Sequence, residues 1–154
     1  MNLEVREYHY TECGLPNVWI QGVHLVDDHG EETIRIPNIY GLHTLIAQGI
    51  VGSEGSLTGP ELRFLRTELD MTQAQLGLLL HRERLTVSRW ERGEGAMDGS
   101  AEALIRIYAT IKLGLDGIDD VKVEEISAKC VATPDPRGQL RIDGSIPGSY
   151  RLVA

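Results

Sequence analysis

An α+β fold is expected for this chain: a small antiparallel β-sheet with one helix, then an all-α part. Two patterns carry the expectation. Branched residues at Val18, Ile20 and 23–26 and the alternating Thr33 to Ile36 flank Asp27-Asp28-His29-Gly30. That composition reads as a hairpin turn, because glycine adopts positive φ without steric cost. Beyond residue 58, apolar residues recur three and four apart, the period of a helix buried along one stripe.

The elements follow in order. A third strand around Val5 to Tyr10 joins the hairpin. Asn38 caps a helix whose Ile39, Leu42, Leu45, Ile46 and Ile50 share one face. Residues 1–50 therefore read as a small sheet-and-helix domain for dimerisation or partner binding. Gly49 to Gly59 holds four glycines and two serines, and residues 51–57 within it read as a flexible linker. Residues 58–113 form the helical domain. Thr58-Gly59-Pro60-Glu61 supplies a cap, a first-turn proline and an early acid, and Leu62, Leu65 and Leu69 form its first inward stripe. Residues 114–154 are a partly irregular extension, with a short helix around Val121 to Lys129. Pro134, Pro136, Gly138, Gly144, Pro147 and Gly148 then punctuate a tail in which Gln139 to Ile142 and Tyr150 to Val153 read as edge strands.

Composition bounds the class. The 154 residues, 42% apolar and 25% charged, describe one ordinary globular domain or two small ones. No apolar run approaches the roughly 20 residues of a membrane-spanning helix, and residues 1–10 lack the order of a secretion signal. Cys13 and Cys130 are too few for a disulfide framework, so a cytoplasmic location without a membrane partner is expected. The net charge of −8 is uneven: residues 1–60 carry −6, 61–93 carry +1, 94–113 carry −1 and 114–154 carry −2. Between His81 and Arg92, the arginines Arg82, Arg84, Arg89 and Arg92 outnumber Glu83 and Glu91. A local basic face sits on an acidic body.

That face falls in the most informative stretch. Thr72 caps a short helix with Leu76, Leu79 and Leu80 on one side, and Gly77 permits close approach of another helix. After four residues, a second short helix turns Val87 and Trp90 inward, leaves Arg84, Ser88 and Arg89 outside, and ends at Gly93. Two such helices and a tight turn have the dimensions of a DNA major-groove reader. The residues Thr72, Gln73, Leu76, Leu79, Leu80, Thr86, Val87, Ser88, Arg89, Trp90, Glu91 and Gly93 resemble the Cro/C1 (Xre-type) helix-turn-helix family, with Gly77 in place of the usual small alanine. The resemblance implies a five-helix, lambda-repressor-like domain over about residues 57–113, closed by the helix Ser100 to Lys112. His81 and Arg82 stand where that family carries a turn glycine and a small buried residue, which predicts a longer or more open turn.

Roles carried over by the resemblance are DNA contacts. Gln73 and Thr72 would meet a phosphate, Thr72 through its hydroxyl or its backbone N–H. Arg84, Leu85 and Arg89 would reach base edges, Thr86 and Ser88 would meet phosphate or base, and Arg92 a phosphate. Trp90 is expected to anchor the helix on the core. The whole layout also resembles the MqsA (YgiT-type) antitoxin family. Tyr10-Thr11-Glu12-Cys13-Gly14 looks like one zinc knuckle with Tyr10 at the first ligand position, and the remaining zinc-binding cysteines are missing. No metal or cofactor is expected, and Tyr8, Tyr10 and Trp19 would hold the sheet instead.

Plainer readings cover the rest. His24 and His29 with Asp27, Asp28 and Glu31 read as a solvated hairpin turn, and His43 as a surface or half-buried residue. No constellation supports catalysis, so the chain is not read as an enzyme. The expected function is a sequence-specific transcriptional regulator, a dimeric repressor on an inverted repeat of double-stranded DNA. The alternatives are an antitoxin that neutralises a ribonuclease toxin and represses its own operon, and a sensor whose residues 1–50 bind a small molecule or protein.

Overall fold

The computed structural model describes residues 5–115, 123–130 and 138–153. The fold is mixed α+β, with a five-stranded sheet and six helices among the described residues. In order these are β1 (Val5–His9), β2 (Val18–Asp28), β3 (Glu31–Arg35), α1 (Ile39–Val51), α2 (Gly59–Glu68), α3 (Gln73–Leu80), α4 (Arg84–Glu91), α5 (Gly99–Lys112), α6 (Val123–Lys129), β4 (Leu140–Ile146) and β5 (Ser149–Leu152). Two compact units result, Met1–Ile46 with Arg137–Ala154, and Ala47–Pro136. Among the described residues no helix is long and apolar enough to cross a membrane.

The first unit is built on β2. Its hairpin with β3 turns at His29-Gly30, where φ values of 56° and 86° are those of a primed two-residue turn, and Asp27 Oδ1 accepts the Gly30 N–H at 2.9 Å. On its opposite edge β2 pairs antiparallel with β1, and the register slips by one residue between Arg6 and Tyr8. Gly22, at φ 78°, lies in that slip. The extra residue inverts the pleat, so the buried set changes from Val18 and Ile20 to Val23 and Leu25.

The sheet corrects the expectation of a purely antiparallel one. Val18–Gln21 of β2 pairs in parallel with Leu140–Asp143 of β4, and β4 pairs antiparallel with β5. A parallel partner must arrive through a crossover, which here spans the helical unit, so the strand read as an edge lies between β2 and β5. Gly148, at φ 78°, closes the β4–β5 turn after Pro147. Gly144 is needed mid-strand because a Cβ there would stand 2.7 Å from Ile20 Cγ2.

Further expectations about this unit are revised. The buried apolar residues are Tyr10, Leu15, Val18, Ile20, Val23, Leu25, Leu42, Ile46 and Ile142, whereas Tyr8 and Trp19 are half-buried. Trp19 lies flat on His9 at 4.2 Å, and Tyr8 donates to Glu12 Oε1 at 2.6 Å, a bond that raises the phenol pKa. Tyr10, at the first knuckle position, has its hydroxyl 2.8 Å from His43 Nε2, and Cys13 Sγ donates to the Tyr10 carbonyl at 3.3 Å. Asn38 does serve the start of α1, from the left-handed region, its Oδ1 accepting the Gly41 N–H at 3.1 Å. Ile39 is exposed rather than inward. His24 is no part of a solvated turn: its Nε2 lies 2.8 Å from the Ser145 carbonyl oxygen.

In the second unit, residues 51–57 are held rather than flexible. Arg106 is fully buried and donates to the carbonyls of Val51 (2.9 Å), Ser53 (2.6 Å) and Gly55 (2.6 Å). Glu102, also fully buried and 3.8 Å from Arg106, accepts the Leu57 N–H, and Gly55 N donates to Lys129 O at 2.8 Å. A guanidinium fork has the donors to gather three carbonyls that a Gly-containing turn presents together. Four helices, not five, occupy residues 58–113; α6 follows, and its expected start at Val121 lies outside the described residues, as do Pro134 and Pro136.

Candidate nucleic-acid interface

Local chemistry sets the frame. α2 and α3 both begin in reciprocal capping boxes, Thr58 with Glu61 and Thr72 with Gln75. Arg66 of α2 grips Glu91 of α4 with two bonds, 2.7 and 2.9 Å, and reaches the Met71 carbonyl at 2.9 Å. Gln73 Nε2 adds a 3.4 Å contact to the same carboxylate. The start of α3 and the end of α4 are thereby tied to one partly buried ion pair.

The connection between α3 and α4 is tight, contrary to the open turn expected. His81 adopts the left-handed conformation, φ 57° and ψ 45°, that a glycine would take. Arg82 N donates to Gly77 O at 2.8 Å. What approaches Gly77 is this turn and not another helix, since a Cβ at residue 77 would stand 2.6 Å from Arg82 O. Arg82 turns outward as expected and bonds Asp98 at 2.5 Å and the carbonyls of Leu80 and His81 at 3.3 and 3.1 Å. Asp98 caps α5 through the Ala101 N–H at 2.8 Å; that bond first, and Arg82 second, holds its carboxyl below the usual range.

On α4, Val87 and Trp90 are buried. Arg84, Leu85, Ser88, Arg89 and Arg92 run along the other side at helical spacing, all exposed except the half-buried Ser88; Thr86 is half-buried too. Arg84 and Arg89 make no hydrogen bond or ion pair with the described residues. Arg92 donates to Ser88 Oγ and to Glu94, both at 3.1 Å. Thus five of the eight expected contact residues form one surface. Gln73 stands apart with its amide on Glu91, and the Thr72 N–H is taken by Gln75 Oε1 at 2.8 Å, which leaves the hydroxyl as the Thr72 group for the expected phosphate contact. Leu78 of α3, 79% exposed, was not singled out in the sequence although it falls off the Leu76–Leu80 stripe. No protein-family model, curated protein or solved structure matches the chain.

Proposed function

We propose that the chain is a sequence-specific DNA-binding transcriptional regulator of the Xre helix-turn-helix type, acting as a dimeric repressor. One observation supports this above the others. In a chain of net charge −8, α4 keeps Arg84 and Arg89 on an outward stripe without a hydrogen-bond or ion-pair partner among the described residues, while Trp90 and Val87 seat the opposite side. Arginine can take guanine O6 and N7 with two bonds, and the exposed Leu85 beside it can meet only a thymine methyl. Arg92 can exchange Glu94 for a phosphate. A single such helix covers few base pairs, so useful affinity calls for two copies on an inverted repeat. The acidic remainder weakens sequence-independent binding and leaves discrimination to the arginines.

Selection from a random duplex pool should enrich an inverted repeat. Against the enriched site, Arg89→Ala should cost about 1–3 kcal/mol and relax one base preference, whereas Arg92→Ala should weaken all sites alike and lower the salt slope by about one. Failure to enrich any sequence, or unchanged binding by the Arg89 variant, defeats this reading.

A further inference from the structure

We propose that the sheet unit binds a small organic acid, with Arg35 taking the carboxylate and His24 taking a neighbouring hydroxyl. The site is a cavity of about 520 Å³ walled by Ile20, Val23, Val26, Pro37, Pro147 and Tyr150. That volume lies within the 300–1,000 Å³ typical of small-molecule sites, which are mostly apolar with a few convergent polar groups. Two polar groups among its walls keep binding capacity, one ring nitrogen of His24 and the guanidinium of Arg35, and the two residues are directly opposed in the β2–β3 ladder. Directly opposed residues carry their side chains on the same face, with Cβ atoms about 5 Å apart.

Each offers a specific capacity, His24 a buried acceptor and Arg35 an exposed guanidinium at the cavity wall. The Ser145 carbonyl can only accept, so the 2.8 Å contact assigns the ring proton of His24 to Nε2. Nδ1 is then left as the acceptor of the ring, and it is buried without a hydrogen-bond partner among the described residues. Such an orphan is costly and calls for a donor. Arg35 makes no hydrogen bond or ion pair with the described residues, although Glu31 and Glu32 share its strand. A guanidinium in that condition favours a carboxylate, which it can hold with two bonds. The ligand class follows: an aliphatic or aromatic body, one carboxylate, and a hydroxyl on the carbon beside it.

The inference stands apart from the DNA reading, since binding is measured without DNA. Titration calorimetry on the full chain would compare 1-octanol, octanoate and 2-hydroxyoctanoate, and in parallel 3-phenylpropanol, 3-phenylpropanoate and 3-phenyllactate. Within at least one series, affinity should rise about tenfold at each step. Arg35→Gln should abolish the gain from alcohol to acid, and His24→Phe the gain from acid to hydroxy acid, with circular dichroism reporting that both variants fold. Absence of saturable binding in both series overturns the proposal. So does an acid no tighter than its alcohol, a hydroxyl that adds nothing, or a preference that survives the matching substitution.

Discussion

Replacing Arg106 by Met tests how the second unit is fixed. Methionine keeps much of the apolar stem and removes the guanidinium, so three carbonyls, Val51, Ser53 and Gly55, lose their donor at once. Glu102 is stranded too, with full burial and only the Leu57 N–H left on its Oε1. Breaking a buried pair from one side costs about 3–5 kcal/mol, because the remaining charge is uncompensated. The carbonyls belong to a turn that can re-solvate, so their separate bond energies, about 1.5–3 kcal/mol each at most, do not add in full.

A second substitution separates the two contributions. Glu102→Gln keeps an acceptor for Leu57 N and removes the stranded charge. In the Arg106→Met background it should therefore recover about 1–2 kcal/mol, a coupling expected only of groups that share an environment. Urea unfolding followed by Trp90 fluorescence, in a Trp19→Phe background, reports the second unit alone. A loss below about 1 kcal/mol for Arg106→Met, or no recovery in the double variant, would refute the argument. Among the described residues Glu102 Oε2 and Arg106 Nε lack hydrogen-bond partners, as expected of a pair that fixes geometry more than it stabilises.

The same buried pair bears on Cys130. Burial, then the Glu102 charge, pushes its thiol up to about 11 from an ordinary 9.0. At pH 8 only about one molecule in a thousand then carries the thiolate, so Ellman's reagent should label Cys130 in the native state far more slowly than after denaturation. Because the folded state holds this proton more tightly, the contribution is complete below pH 9 and should fade as pH rises toward 11. Equal labelling of native and unfolded chain at that site would contradict the assignment. Asp98→Ala removes the α5 cap and the partner of Arg82 together, and should cost about 1 kcal/mol in a urea melt. Its carboxyl is held below 3.8, so its contribution is present above that pH and disappears on acidification; a cost that does not diminish on acidification would exclude the ion pair. Gly77→Ala forces the Arg82 carbonyl aside and should destabilise by about 1–3 kcal/mol, with a neutral melting curve as the opposing result.

What could be read from the sequence was what chemistry fixes locally. Thr58 and Thr72 announced their helices because a capping box closes within four residues. The hairpin at His29-Gly30 was equally local. The inversion of the pleat in β2 left a trace, Gly22 amid branched residues, but its consequence for the buried set depends on the slipped register with β1. The parallel pairing of β4 left none, since Leu140 and Val18 are joined only through a crossover longer than the helical unit itself. Gly and Ser between residues 49 and 59 suggested freedom for a similar reason. Their constraint is Arg106, more than 50 residues away in the chain.

The arginine cluster shows the same limit at the candidate site. Composition treats Arg82, Arg84, Arg89 and Arg92 as one basic patch, yet their partners divide them. Arg82 is committed by Asp98 and by two carbonyls of its own turn, which removes it from the outward set. Arg92 holds one exposed carboxylate, and such surface pairs are worth about 0–1 kcal/mol, so a phosphate can displace Glu94 at small cost. Arg84 and Arg89 need displace nothing. The turn carries this division: His81 takes a left-handed backbone, and the outward-turned Arg82 that follows it pairs with Asp98. A departure that predicted a looser connection therefore yields a tight one, with fewer arginines left without a close carboxylate on that face.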